Sequence, residues 1–206
     1  MRDLIPSQMP IGTIVNSYGE ASRGKGIPKW LLRRAYASIR KYQRIEFRNE
    51  PPDKLQAIHS VIKVDNPNVW LSVTSPRATV GPLEMKDGHQ YRALAWNHLS
   101  KLDYTALLAI QQYAYLLEGV PYDYGQLIDI QISQWFGWLP DKLSIFDFGR
   151  NRKVCSVGCH GALVAAYKTL PAGTAPRPLG EQYIEKTCPA NFEVAKDFTL
   201  IAERSR

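Results

Sequence analysis

The stretch Val154-Cys155-Ser156-Val157-Gly158-Cys159-His160-Gly161-Ala162-Leu163-Val164-Ala165-Ala166-Tyr167 follows directly on the polar, basic run Asn151-Arg152-Lys153. An apolar, helix-forming segment of this kind predicts a buried helix, and Cys155 stands at its opening turn. Unpaired backbone N–H groups and the positive end of the helix dipole favour thiolate over thiol there, and Arg152 and Lys153 act in the same sense. The chemistry such a position suits is that of a nucleophile.

A cysteine nucleophile needs a base, and His59 is the candidate. It lies in Gln56-Ala57-Ile58-His59-Ser60-Val61-Ile62-Lys63-Val64, an alternating run that predicts a strand over about 56–64, ahead of the turn Asp65-Asn66-Pro67-Asn68. A thiol at a helix start and an imidazole on a strand make the papain-like pairing. Here the histidine strand comes first, the reverse of the ordinary papain-like order, and circular permutation restores the match.

Four segments carry a resemblance to the circularly permuted branch of NlpC-type cysteine peptidases and the related acyltransferase-like group. Pro10-Ile11-Gly12-Thr13-Ile14-Val15 resembles the opening strand and Ile58-His59-Ser60-Val61-Ile62 the histidine strand. Gly119-Val120-Pro121-Tyr122-Asp123-Tyr124 resembles the element upstream of the cysteine, and Val154-Cys155-Ser156 the nucleophile itself. The resemblance implies an α+β, papain-like fold and acyl transfer through Cys155 and His59, with Tyr122 donating its hydroxyl near the oxyanion. It further implies an amide in peptidoglycan stem peptides as substrate; lipid esters or amides are the alternative within the group.

The chain departs from the family pattern at two places. Val157, Gly158 and Cys159 follow Cys-Ser where the family carries an acidic residue and then an aliphatic pair. At the position of the polar orienting residue, often glutamate, Val69-Trp70-Leu71-Ser72-Val73-Thr74 offers only Ser72 or Thr74. A non-catalytic structural or adaptor protein that keeps the fold, such as a phage-particle component, is the competing expectation.

At 206 residues with 45% hydrophobic composition, the chain suits one domain spanning 1–206. The expected order is a strand near 11–16, a basic helix about 28–45, the His strand, strands near 69–74 and 90–95, and a helix from Lys101 to Glu118. The Cys helix, about 155–168, and a C-terminal arm, 171–206, complete it. This order lacks βαβ alternation, which again favours α+β. Ile128 to Phe148 is unusually aromatic, and Trp135 and Trp138 within it are candidates to wall a substrate groove.

The net charge of +7 is concentrated. Between Ser22 and Arg48 nine basic residues face Glu46 alone, leaving 17 basic and 18 acidic residues elsewhere. Leu32, Ala35, Tyr36, Ile39 and Tyr42 recur there at helical spacing, so the segment predicts an amphipathic helix with a basic outer face. Arg33, Arg34, Arg40 and Lys41 are the candidates for holding an anionic polymer of the cell envelope, against the plainer reading of a solvated face. No recognised nucleic-acid module accompanies them, so sequence-specific binding is not expected.

Three cysteines fit a thiol-bearing protein better than a disulfide framework. Cys155-x-x-x-Cys159-His160 has one residue too many between its cysteines for c-type haem attachment, and no second Cys/His cluster completes a zinc site. Neither metal nor cofactor is expected. The first residues lack the apolar core of a signal peptide and no run approaches the ~20 residues of a membrane span. The expectation is a protein made in the cytoplasm, delivered to the envelope by a phage particle, lysis or secretion machinery.

Overall fold

The computed structural model describes residues 3–18, 29–74, 76–122, 154–181, 184 and 187–204. Among them six strands form one antiparallel sheet: β1 (Ile14–Tyr18), β2 (His59–Asp65), β3 (Val69–Val73), β4 (Ala78–Gly81), β5 (Gln90–Trp96) and β6 (Phe198–Arg204). Their spatial order is β4-β3-β2-β1-β5-β6. The longer helices are α1 (Lys29–Glu46), α2 (Tyr104–Leu117) and α3 (Cys155–Tyr167), and a short helix, α4 (Pro189–Val194), precedes β6. The fold is α+β, a mixture of helices and antiparallel sheet. No helix of the described residues is long and apolar enough to cross a membrane.

Pairing registers explain which side chains share a face. Ile14 lies opposite Ile62 and Leu94, and Ile62 opposite Leu71, so these four point the same way. With Val73 and Trp96 they form the sheet side of the main core, which Ile110 and Ala114 of α2 and Ala162, Leu163 and Ala166 of α3 complete. The alternate residues Val15, Val61, Trp70, Tyr91 and Ala93 build a smaller cluster on the other face, beneath Leu4. Lys63, on that face and itself buried, donates from Nζ to the carbonyls of Pro6, Ser7 and Met9, at 3.3, 3.0 and 2.5 Å. The N-terminal segment is thereby tied across the sheet, and the three carbonyls satisfy an ammonium group that would otherwise be costly to bury.

Helix α3 is buried around almost its whole circumference, as its composition requires. Two glycines make that possible. A Cβ on Gly158 would stand 2.7 Å from Val73 Cγ2, and one on Gly161 would stand 2.0 Å from the Tyr113 hydroxyl and 2.5 Å from its ring. Gly158 therefore lets α3 lie on β3, and Gly161 lets it lie on α2. Gly158 is one of the positions after Cys-Ser at which the sequence departs from the pattern it otherwise resembles, and close helix packing is what glycine provides there. Helix α2 begins at Asp103, whose carboxylate accepts the Ala106 N–H at 2.8 Å.

Helix α1 forms where the basic helix was expected, with Ile39 buried and Tyr36 and Tyr42 half-buried. One anchor was not anticipated: Gln43 is fully buried, donates to the carbonyls of Leu55 and Ala57, and accepts the N–H of Ala190. Arg33 and Lys41 are exposed and Arg40 half-buried, while the Arg34 side chain lies outside the described ones. The C-terminal region is more than a wrapping arm, since its last part enters the sheet as β6 beside β5.

Candidate active site

At the sheet end formed by the start of β2 and the end of β1 lie His59 and, on the neighbouring strand, Ser72, while Cys155 opens α3 against the opposite face of the sheet. Cys155 is the first residue of α3, after Val154 in extended conformation. The backbone N–H groups of Ser60, Ser156 and Cys155 itself favour the charged form of its sulfur. Ser60 adjoins His59 on β2, but successive residues of a strand face opposite sides of the sheet. The His59 side chain takes the Val61 side of the sheet by strand alternation, the side away from α3. There its Nε2 lies 3.2 Å from Ser72 Oγ on the neighbouring strand. Of the two orienting candidates, Ser72 is the one hydrogen-bonded to the ring.

His59, Ser72 and Thr74 open onto a cleft of about 520 Å³, which Tyr36 of α1, Trp70 and Tyr91 also line. Cys155 is only 4% exposed, in the core behind the sheet. Tyr122 is half-buried at the approach to β4, its N–H donating to Pro76 O at 3.0 Å beside the bridge between Arg77 and Pro121. Trp135, Trp138, Arg152 and Lys153 lie outside the described residues.

Burial decides the charge state of the sulfur. It pushes the Cys155 thiol above its ordinary value, outweighing the surrounding N–H groups that favour thiolate. The expectation of a resting thiolate at the helix start is thus corrected: the partial charges are present, but desolvation is larger. Cys159 is raised well above its ordinary value by burial and by the Cys155 charge, and Cys188 is pushed up to about 12, chiefly by burial. Cys188 is buried immediately before α4 and close enough to feel the charge on Cys155. Among the described residues no group of three or more His, Cys, Asp or Glu is arranged to hold a metal ion.

His59 is lowered to about 4 by burial, so its ring is neutral at physiological pH. This shift makes a stability prediction. A ring whose folded value lies below the ordinary 6.5 contributes stability fully above pH 6.5 and loses it as pH falls toward 4, because the unfolded chain takes the proton first. The loss is expected to approach about 3 kcal/mol. Glu193, raised by burial, acts in the opposite direction. Urea midpoints at pH 7 and pH 4.5 for the parent and for His59→Gln isolate the His59 part; equal acid sensitivity in both would contradict it.

The other buried histidine is committed to structure. His160, fully buried in α3, has Nδ1 2.7 Å from Thr187 Oγ1 and Nε2 3.1 Å from Pro178 O. The carbonyl accepts, so Nε2 carries the proton and Nδ1 accepts from the threonine hydroxyl. Ser156 Oγ donates to Thr187 O at 2.5 Å. The serine after the nucleophile candidate therefore pins the chain entering α4.

Sequence reasoning missed a polar network on the α3 side. Asn16, fully buried, accepts from Ser60 Oγ at 2.6 Å and donates to Pro189 O at 3.0 Å and Glu193 Oε1 at 2.9 Å. Glu193 also accepts from the Tyr18 hydroxyl, and its other oxygen lies 3.7 Å from Arg92 NH1. The signal available was Asn16 itself, a polar residue following Ile14 and Val15 on a strand whose face is otherwise core. No protein-family model, curated protein or solved structure matches the chain.

Proposed function

We propose that this protein is a papain-like cysteine hydrolase that cleaves an amide bond through Cys155 and His59, with peptidoglycan stem peptides as the favoured substrate. The observation that carries the reading is a cysteine opening a buried helix that packs on β2, the strand whose first residue is a neutral histidine hydrogen-bonded through Nε2 to Ser72, although the two side chains stand on opposite faces of the sheet.

The chemistry follows from a neutral pair. In the tautomer whose Nε2–H donates to Ser72 Oγ, Nδ1 is unprotonated and serves as the base. In the proposed attack the His59 ring, which stands on the sheet face away from α3, must first come round to the Cys155 face; the thiol proton then passes to Nδ1 as the S–C bond forms, and the carbonyl electron pair moves onto oxygen, where the N–H groups at the α3 start stabilise it. Collapse of the intermediate breaks the C–N bond, and the imidazolium returns its proton to the leaving amine. Water then cleaves the thioester, losing a proton to the same nitrogen, and releases the acid and the thiol. The proposed role of α1 is to bring Arg33, Arg34, Arg40 and Lys41 to an anionic wall polymer, with Tyr36 of the same helix at the cleft.

A second reading, a non-catalytic protein that keeps the fold, is favoured by one observation, the burial of a Cys155 thiol whose pKa is raised. The test offers purified protein isolated peptidoglycan and a lipid acyl substrate side by side. Soluble peptide fragments are expected from the first; turnover of the lipid alone moves the substrate to the other class. Turnover of neither by folded protein selects the non-catalytic reading.

A further inference from the structure

Helix α2 carries no charged residue over its 14 positions. Its inner face, Ala106, Ile110, Ala114 and Leu117, is buried in the main core. On the opposite side Tyr104, Leu108, Gln111 and Tyr115 recur at steps of four, three and four, one stripe down the outward face that Glu118 ends. Tyr104 is 79% and Tyr115 52% exposed, and Leu116 at the flank of the stripe is 79% exposed, so three of the five large apolar side chains left exposed among the described residues lie on this one helix. A helix face meant only for water carries charges, as α1 does with its exposed Arg33 and Lys41.

We infer that this stripe is a contact between two copies of the chain, α2 of one lying antiparallel on α2 of the other about a twofold axis. Steps of four and three are the spacing at which side chains of one helix seat in the grooves of a second. The ends of the stripe select the occupant and its direction. Lys101, just ahead of the helix, is exposed, with its ammonium on the Thr174 carbonyl at 2.8 Å; Glu118, just past the helix, is exposed as well. The antiparallel register that sets Leu108 opposite Gln111 of the second copy also sets Tyr104 opposite Tyr115 and Lys101 opposite Glu118, so charge meets opposite charge at both ends. A parallel pair would set like charges together, and its helix dipoles would repel. Copies of a chain with net charge +7 repel over most of their surface, and an uncharged face ended by one cation and one anion is where that repulsion is least. A lipid surface fits less well, because an interfacial helix flanks its apolar side with Lys and Arg, whereas this one places Gln111 within the stripe and Glu118 at its end.

Sedimentation velocity of the parent protein tests this. Its mass is expected to pass from that of one chain toward that of two between about 1 and 100 µM, the range suited to a small helix-pair interface. Tyr115→Glu places a carboxylate twice in the twofold contact and should weaken association by at least about tenfold. Tyr104→Glu, at the most exposed end of the stripe, gives the same answer if Tyr115→Glu does not fold. Direction is read by disulfide trapping: an oxidised equal mixture of Leu108→Cys and Gln111→Cys proteins should yield the mixed dimer well ahead of either protein alone, since position 108 faces 111 and not itself. The three native cysteines are buried and leave this readout clear. A parent that stays monomeric to about 100 µM, or a folded Tyr115→Glu that associates like the parent, overturns the inference. So does binding of the monomer to phosphatidylcholine vesicles that Tyr115→Glu abolishes, which assigns the stripe to lipid. Trapping of each variant alone as readily as of the mixture overturns the antiparallel register.

Discussion

Cys155→Ala is expected to lower hydrolysis of the responsive substrate by at least about 10³-fold, the scale on which losing the nucleophile of a coupled pair acts. The same change removes one sulfur from the core formed by α3 and the sheet, which should cost only about 1–2 kcal/mol of stability, at the low end for buried truncations. The two readouts therefore part widely, and the separation is what identifies a reacting group. Cys159→Ala and Cys188→Ala remove equally buried sulfurs and should show the small stability loss with turnover nearly intact. Comparable rates from all three alanine variants would reduce Cys155 to a packing residue.

His160→Ala should behave in the opposite way. The imidazole fills space between α3 and the 178–187 region, and its loss leaves a cavity together with two buried oxygens, Pro178 O and Thr187 Oγ1, that each lose a partner. Truncation of a large buried side chain and abandonment of buried polar partners together are expected to lower stability by about 3–5 kcal/mol. Urea denaturation monitored by tryptophan fluorescence measures it. A loss under about 1 kcal/mol would mean that the C-terminal region is not held to α3 through this ring. His59→Gln, by contrast, should leave the urea midpoint at pH 7 within about 1–2 kcal/mol of the parent and abolish turnover, so the two histidines are told apart by one pair of measurements.

The elements that carry strong periodicity were legible in the sequence. The buried helix from Cys155, the basic helix with Ile39 inward and the His59 strand all form within a few residues of their expected bounds, because each shows its face over several turns or alternations. Ala78–Gly81 is too short to alternate visibly, and β6 lies in the segment expected as a C-terminal arm; both become strands only because a neighbour supplies the ladder. At the site, Cys155 and His59 could be singled out by residue type and setting, and Ser72 by its place on the next strand. The Asn16–Ser60–Glu193 network could not, because it joins residues more than 170 positions apart by hydrogen bonds that leave no local pattern. The charge state of the sulfur was misjudged for a related reason: dipoles and flanking cations can be read from sequence, whereas desolvation depends on everything packed above the site.

The central claim is that Cys155, with His59 as its base, takes up an acyl group. Brief mixing with a p-nitrophenyl ester, acid quenching and intact-mass analysis with peptide mapping measure this directly, since the acyl group replaces the thiol proton and nitrophenolate departs. The account predicts one acyl adduct, on the peptide bearing Cys155, formed at least about tenfold more slowly in His59→Ala. An adduct on Ser72, or none at Cys155 in folded protein, would contradict it.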